Sequence, residues 1–263
     1  MEKPRGHQTV RITDRDRELL AFVAEHRLVL IGHVASLLGV SAAAAYARLA
    51  ALCKQGSLKH DRVFEHGPGH YRITRPGLAV IDSGLPPPRG DLRAYPHDVG
   101  VAWLWLAARS GAFGPLQGVI SERHMRSHDG ARDRLIPNRG GDPLGVRLGG
   151  FGPGGRERLH YPDLLLVDPH GNRVAVELEL TGKSLRRREQ ILGGYAASRQ
   201  VAAVVYLVID PAVGRRVQAS AERLGIADMV HVRPAQWGAT QVARAGGAGR
   251  RRAPTRDTPE AAR

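Results

Sequence analysis

With 263 residues, 42% of them hydrophobic and 24% charged, the chain is long enough for one large or two modest domains. No apolar run approaches the roughly 20 residues of a membrane helix, and the start MEKPRGHQTV lacks a signal-peptide core, so we expect a cytoplasmic protein without membrane contact. A single cysteine, Cys53, excludes a disulfide framework, and the formal net charge of +14 favours polyanionic partners, nucleic acid first.

The first eighty residues carry a helix-turn-helix pattern. Thr13 or Asp14 can cap a helix over ITDRDRELLAFVAEHR, because a short side-chain oxygen accepts the free amides of a first helical turn. A short helix, His33 to Leu38, stops at Gly39, whose missing Cβ suits a left-handed turn. Ser41 then caps a further helix that runs to Gln55.

A glycine-rich hairpin is expected next, from SLKHDRVF and HYRITR, followed by a helix that Thr74 can cap near Pro76. Three helices and such a ribbon resemble a winged helix-turn-helix, here residues 11–83. The resemblance implies that the helix from Ser41 enters the major groove of double-stranded DNA while the wing follows the backbone. The candidate DNA contacts are Ser41, Tyr46, Arg48, Lys54, Lys59, Arg62, His66 and Arg72.

Three segments read as irregular. GLPPPRGDLR, residues 84–93, is a proline-rich linker. Residues 127–158 form a glycine-, proline- and arginine-rich insertion without periodicity, which favours a long mobile loop. The basic tail, residues 234–263, has the composition of a disordered segment.

The remaining pattern, residues 94–233, predicts an α/β domain of the α+β kind with a mixed sheet. In chain order we expect a helix (Tyr95 to Arg109), three strands (Gly118 to Arg123, Tyr161 to Val167 and Arg173 to Thr181), a helix (Lys183 to Ser198), a strand (Val201 to Ile209), a helix (Ala212 to Leu224) and a strand (Asp228 to Val232). The second and third strands flank a tight turn and pair as a hairpin, whereas the later strand-helix-strand order needs a crossover.

Acidic residues gather on one face of that hairpin. In VAVELELTGKS, the two-residue period places Glu177, Glu179 and Thr181 on the same face, and the hairpin brings Asp163 near them. Three packed acids repel each other unless a cation lies among them, and oxygen-only ligands suit Mg²⁺ or Mn²⁺. Asp163, Glu177 and Glu179 are therefore a candidate metal site; alternatively, the two glutamates form the charged solvent face of an edge strand.

Pro162-Asp163, Glu177 and a following lysine resemble the PD-(D/E)xK nuclease superfamily. The resemblance implies metal-dependent phosphodiester hydrolysis with Asp163, Glu177, Glu179 and Lys183 as catalytic residues, although Glu179 stands where the superfamily has lysine. Lys183 would supply the ammonium from the start of the next helix, and its rarity gives it weight, because this chain uses arginine nearly everywhere and a compact ammonium differs from a planar guanidinium. Accessory candidates are Glu122, Thr181 and Gln190, the last with Tyr195.

Taken over residues 11–232, the order of elements and the PD…ELELTxKS block resemble the replication-relaxation family of actinobacterial plasmids and integrative elements. This resemblance implies a role of DNA handling in replication or mobilisation. Two alternatives stay open: a non-catalytic DNA-binding regulator or replication accessory factor on a nuclease-like scaffold, and a module that forms homodimers or docks on replication or conjugation proteins.

Overall fold

The structure is a computed structural model that describes residues 11–62, 67–135 and 142–235. It has a mixed α/β fold, so the class expected from the sequence is confirmed at this level. The α-helices of the described residues are α1 (Asp14–Glu25), α2 (Ile31–Leu38), α3 (Ala42–Lys54), α4 (Arg75–Val80), α5 (Tyr95–Arg109), α6 (Glu122–Leu135), α7 (Leu185–Ala197) and α8 (Pro211–Arg223). The strands are β1 (Leu58–Asp61), β2 (His70–Ile73), β3 (Gly118–Ser121), β4 (Val146–Phe151), β5 (Glu157–His160), β6 (Leu164–Val167), β7 (Arg173–Glu179), β8 (Val201–Val208) and β9 (Val230–Pro234).

The caps of the first three helices follow from short polar residues and a glycine. The Thr13 hydroxyl accepts the N–H of Asp16, and the Asp16 carboxylate accepts the N–H of Thr13 at 2.6 Å, which closes a capping box on α1. Gly39 ends α2 with a φ of 63°, a left-handed conformation that glycine adopts freely. Ser41 caps α3 by accepting the N–H of Ala44. The predicted helices are therefore confirmed, although α2 begins earlier, at Ile31.

An antiparallel ribbon of β1 and β2 follows α3, with Lys59 opposite Arg72. Residue Val29, between α1 and α2, adds a bridge to Tyr71 and so ties the ribbon to the helices. Thr74 then caps α4 by accepting the N–H of Gly77, as the sequence indicated. Residues 63–66, which include the predicted wing residue His66, lie outside the described residues.

The central sheet has the order β3-β6-β7-β8-β9. Strand β6 is antiparallel to both β3 and β7, whereas β7, β8 and β9 are parallel. The expected hairpin and the expected crossover are therefore both present. As a result, the carboxyl ends of β3 and β7 lie at the same edge of the sheet as the amino end of β6.

The two faces of the sheet bury different partners. On one face, Val176 and Leu178 of β7 share a hydrophobic core with α5 and with the helices of the first eighty residues, including Leu19 of α1. On the other face, Ala175 of β7 packs with α7 and α8. Glu177 and Glu179, which alternate with the first pair, belong to this second face.

The predicted linker is irregular from Gly84 to Asp91 and ends in a short 3-10 turn, Leu92–Ala94. However, Leu85 within it is buried in the same core that joins the N-terminal helices to the sheet. The linker segment therefore connects two regions that share apolar contacts.

The insertion predicted as a mobile loop is mostly ordered secondary structure in the described residues, so that prediction is wrong. The strand expected to reach Arg123 stops at Ser121, and α6 begins at Glu122. The sequence ERHMRSHDGARDRL has no apolar stripe, but its helix is anchored by Met125, which is fully buried, and by Asp129, whose carboxylate accepts the N–H groups of Leu144 and Gly145 at 3.0 Å. A buried polar anchor of this kind leaves no hydrophobic period in the sequence.

Strands β4 and β5 form another antiparallel hairpin, which begins within the same insertion. The hairpin packs on α7, where a Cβ atom on Gly194 would lie 2.8 Å from the carbonyl oxygen of Arg147. Gln190 of α7 also donates to the carbonyl of Leu148 at 3.2 Å. Tertiary packing on α7 therefore orders a glycine-rich segment that composition alone assigned to a loop.

Two strand boundaries near the acidic residues also differ from prediction. The strand expected from Tyr161 begins at Leu164, after Pro162, which has no N–H for the ladder. The strand expected to reach Thr181 ends at Glu179, because its parallel neighbour β8 pairs only as far as Glu179 opposite Val208. Of the predicted tail, residues 236–263 lie outside the described residues.

Within the described ranges, no single helix is long and apolar enough to cross a membrane. Helices α2 and α3 pass that test only when they are taken together, by length and composition alone, and they are bent by 108° at the Gly39 turn.

Candidate active site

The acidic residues converge at one edge of the sheet. Asp163 directly precedes β6, and the register of Leu164 opposite Val176 places it across from Glu177 of β7. Glu179 ends the same strand. All three carboxylates are buried, with 8%, 3% and 5% of the residue exposed in the order Asp163, Glu177, Glu179. They are therefore not the solvated face of an edge strand.

Asp163 is held by a backbone amide and a histidine. Its Oδ2 accepts the N–H of Leu178 at 2.7 Å and lies 3.2 Å from Nε2 of His97, in the first turn of α5. Burial raises the pKa of the Asp163 carboxyl, but the His97 charge and hydrogen bond, the Leu178 amide and the Lys183 charge outweigh it and hold that pKa below its usual value. Asp163 is therefore a carboxylate at neutral pH.

Glu177 is held by two side chains that the catalytic motif did not predict. Its Oε1 accepts the hydroxyl hydrogen of Tyr195, on α7, at 2.5 Å. The same oxygen lies 2.5 Å from Nε2 of His160, the last residue of β5. Burial and the neighbouring Glu177 charge raise the pKa of the Tyr195 phenol well above its usual value, so Tyr195 stays a hydrogen-bond donor.

Glu179 forms an ion pair with Lys183, four residues along the chain. The ammonium thus returns from the turn before α7 to the acidic edge, as the sequence indicated. Burial raises the pKa of the Glu179 carboxyl, and the Glu177 and Asp163 charges add to this effect, so that Lys183 does not bring the pKa back to its usual value. The three acids therefore interact electrostatically.

A small cavity of about 20 Å³ lies beside Asp163, between α1, α5 and α6. Burial lowers the pKa of the His97 imidazolium, but the charge and hydrogen bond of Asp163, with Asp98 and Glu122, outweigh it and raise the pKa to about 9. Burial raises the pKa of Asp98 to about 6, although Arg27 at 3.6 Å opposes this. Among the described residues, Oδ2 of Asp98 has no hydrogen-bond partner. Strongly perturbed groups beside a cleft mark a candidate functional site.

The charge balance of the site differs from the sequence expectation. We expected an external cation to offset the three acids, yet His97 and Lys183 supply positive charge at Asp163 and Glu179. In the part of the chain that the structure describes, no group of three or more His, Cys, Asp or Glu side chains is arranged to hold a metal ion. The carboxylates fit Mg²⁺ or Mn²⁺ by donor type, and a cation bound at Glu179 would have to displace the Lys183 ammonium.

The three accessory candidates lie in different surroundings. Glu122 begins α6 and lines the cavity beside Asp163, where it pairs with Arg27 at 2.8 Å and with Arg126 at 2.7 Å. Thr181 is exposed beyond the end of β7, so the predicted shared face with Glu177 is wrong for this residue. Gln190 binds β4 through the Leu148 carbonyl and makes no hydrogen bond to the acids within the described ranges.

Sequence reasoning missed His160 and Asp98 and gave Tyr195 only a minor place. His160 stands in HYPD, three residues before Asp163, but it falls between the predicted insertion, residues 127–158, and the strand predicted from Tyr161. Its proximity to Glu177 depends on β5, which only the packing of the β4–β5 hairpin reveals. A histidine close to the PD motif was the available signal.

The proposed DNA contacts divide into exposed and engaged side chains. The Arg48 guanidinium forms a two-pronged ion pair with the buried Asp16, and Arg72 pairs with Asp61. Both arginines are therefore committed to the fold. The exposed members of the predicted set are Ser41, Tyr46, Lys54, Lys59 and Arg62. Among them, the Ser41 hydroxyl caps α3 and Lys59 lies 3.0 Å from Asp61.

A comparison with protein-family models finds no match for this chain, and a comparison with curated proteins finds none either.

Proposed function

We propose that this chain is a DNA-associated protein that hydrolyses phosphodiester bonds with a divalent cation at its acidic edge. The observation that carries the proposal is the convergence of Asp163, Glu177, Glu179 and Lys183 at one end of a mixed sheet. These are the residues that the resemblance to the PD-(D/E)xK superfamily selects. The nuclease-like unit would be residues 94–233.

Asp163 and Glu177 would hold the cation, with Glu179 as a third carboxylate. When bound, Mg²⁺ or Mn²⁺ would polarise the scissile phosphate and lower the pKa of an attacking water. The chain's own residues prepare the site: Tyr195 and His160 fix the Glu177 carboxylate, and His97 fixes that of Asp163. Lys183, about a third exposed, can leave Glu179 and stabilise negative charge on the phosphate.

DNA association would rest on residues 11–83 acting as a winged helix-turn-helix. Helix α3 presents Tyr46 and Lys54 to solvent, and the ribbon presents Lys59 and Arg62. Arg48 and Arg72 would contribute less, because their guanidinium groups are paired with Asp16 and Asp61 and are less exposed than the Lys59 side chain. With few polar groups on α3, phosphate contacts would dominate base contacts, which favours weak sequence selectivity on double-stranded DNA.

The biological setting proposed is that of the replication-relaxation resemblance: cytoplasmic replication or mobilisation of a plasmid or other mobile element. Replication or conjugation proteins, or a second copy of the chain, would be the protein partners.

A second candidate function is a non-catalytic DNA-binding regulator or replication accessory factor. The observation that favours it is the internal neutralisation of the acids: Asp163 faces His97, and Glu179 pairs with Lys183. A scaffold that has lost its cation would keep such pairs, because buried charges without a partner are costly.

The test is cleavage of supercoiled, linear and single-stranded DNA by the full chain with and without Mg²⁺ or Mn²⁺. We expect metal-dependent nicking that falls by about a hundredfold or more in Asp163→Ala and in Glu177→Ala. Glu222→Ala is the matched control, since Glu222 is an exposed glutamate on α8. Cleavage that persists in both acidic variants would remove the proposed site.

Calorimetry separates the two candidate functions. Binding of Mn²⁺ that is lost in Asp163→Ala supports the nuclease. Salt-sensitive DNA binding without any heat of metal binding supports the non-catalytic protein, because phosphate contacts release counterions and need no metal.

A further inference from the structure

Phe151, at the end of β4, has the most exposed large hydrophobic side chain of the described residues, with 74% of the residue exposed. Aromatic residues are only 5% of this chain, and Phe22 and Trp105 are buried. An aromatic ring left in water forgoes the free energy that burial of its surface would give, so a ligand that covers the ring would gain that free energy.

Glycines surround this ring on both sides of the hairpin tip. Gly149 and Gly150 precede Phe151, and Gly154 and Gly155 follow it, each with a φ between 70° and 74°. A Cβ atom at any of these four positions would meet no described atom within 4 Å. The backbone of the tip is therefore open at these four positions, which leaves room for a ligand next to the strand end that carries Phe151.

The hairpin also carries positive charge. Arg156 and Arg158 are exposed, and no ion pair is formed by either with the described residues. Arg147, by contrast, is paired with Asp142 at 3.0 Å and with Glu157 at 3.2 Å. Phe151 shares its face of the ribbon with its cross-strand partner Glu157, so Arg156 and Arg158 lie on the opposite face, where their guanidinium groups can meet phosphates that follow the edge of the hairpin. An exposed aromatic ring on a hairpin that also carries unpaired cations is a combination that binds unpaired nucleotides, because bases stack on the ring while phosphates meet the cations.

The hairpin is fixed to the acidic site at its other end. Phe151 lies opposite Glu157, and three residues further along β5 His160 contacts Glu177. At the rise of a β-strand this separation is roughly 10 Å. Gln190 anchors the hairpin on α7. A base stacked on Phe151 would therefore lie within a few nucleotides of a phosphate at the acidic edge.

We propose that the β4–β5 hairpin binds an unpaired nucleotide by stacking its base on Phe151, with Arg156 and Arg158 on the adjacent phosphates. The inference rests on the proposed function and narrows its substrate class to single-stranded or locally melted nucleic acid. It concerns binding and does not require the acidic site to be catalytic.

The experiment measures binding of the full chain to a single-stranded oligonucleotide that contains one 2-aminopurine, in buffer without divalent metal. Stacking on an aromatic ring changes the emission of this base. We expect Phe151→Ala to weaken binding by about tenfold and to abolish the emission change, whereas Phe151→Trp preserves both. Leu224→Ala is the matched control, since Leu224 is also an exposed large hydrophobic residue.

A fully paired duplex of the same sequence serves as competitor. Unchanged affinity in Phe151→Ala, an emission change that persists in that variant, or equal competition by the duplex would each overturn the inference while leaving DNA association intact. Absence of binding to every DNA by the wild-type chain would overturn the inference and the DNA-binding part of the proposed function together. Stacking without any metal-dependent cleavage would support the inference and count against catalysis alone.

Discussion

The N-terminal region and the acidic edge of the sheet treat their carboxylates differently. In the N-terminal region two acids are paired with arginines: burial raises the pKa of Asp16, but the hydrogen bonds from Arg48 and Thr13 outweigh it and the pKa is lowered. Burial likewise raises the pKa of Asp61, but Arg72 and Lys59 outweigh it and lower that pKa. At the acidic edge, Glu179 keeps a raised pKa despite Lys183.

The pKa values differ because the carboxylates at the acidic edge share their cations. One carboxylate with one guanidinium is a closed pair, which stabilises the fold and leaves little for a ligand to gain. Several carboxylates that share fewer cations retain repulsion in the folded state, and proteins keep such repulsion mainly where function needs it. The comparison therefore assigns the arginine pairs of the N-terminal region to the stability of the fold and supports the acidic edge as the proposed functional site.

The largest expected effect is a difference in the free energy of unfolding when one acid is removed from each region. Asp16→Ala removes both the capping box of α1 and the partner of Arg48, so we expect the free energy of unfolding to fall by about 2 to 3 kcal/mol. Glu179→Gln removes a repelled charge and should leave stability within about 1 kcal/mol of wild type, or raise it.

Urea unfolding at pH 7 measures both variants. Asp14→Ala is the control, because Asp14 is exposed in the same helical turn and should cost only about 0.5 kcal/mol through the helix dipole. Equal losses of unfolding free energy in Asp16→Ala and Glu179→Gln would contradict the proposed difference between the two regions.

A smaller effect on stability is expected from the titration of His97, whose pKa of about 9 in the folded chain lies above its usual 6.5. A raised histidine pKa contributes stability that is fully present below pH 6.5 and is lost as pH rises toward 9. Because His97 is partly exposed, we expect a loss of about 1 kcal/mol between pH 7 and 9.

Unfolding of wild type and His97→Gln across this range measures that contribution, since the variant lacks the titrating group. Asp98, with a pKa of about 6, is already mostly ionised at pH 7 and is common to both proteins. A pH dependence as steep in His97→Gln as in wild type would show that His97 is not held by Asp163.

Local signals in the sequence predicted most of this fold because the caps and the alternating strands act over a few residues. Thr13, Gly39 and Ser41 define α1 to α3 through their own side chains or backbone, and VAVELEL carries the period of β7. The same period placed Glu177 and Glu179 together, and the hairpin turn brought Asp163 to them.

What the sequence could not supply depends on contacts between distant segments. Helix α6 rests on Met125 and Asp129, and β5 brings His160 to Glu177 only because β4 packs on α7. Likewise, nothing near Arg48 in the sequence indicates that Asp16, 32 residues earlier, occupies its guanidinium. The alternating period therefore placed Glu177 and Glu179 correctly on β7, whereas Glu122 and Thr181 lie outside the strands predicted for them, and the partners of the acids were not predicted.

The smallest expected effect concerns DNA affinity and separates Arg48 from Lys54. Both lie on α3 and both were expected to contact DNA, but Arg48 is held by Asp16 while Lys54 is exposed. Lys54→Gln should therefore weaken duplex binding a few-fold and lower the slope of log affinity against log salt by about 1, because one phosphate contact is lost. Arg48→Met should destabilise the fold but leave that slope unchanged at a temperature where the variant is folded.

Fluorescence anisotropy with a labelled duplex between 50 and 200 mM salt, roughly the range over which such contacts weaken, measures both slopes. A reduced slope in Arg48→Met would mean that the Asp16 pair opens on DNA, and the arginine would then belong to the interface.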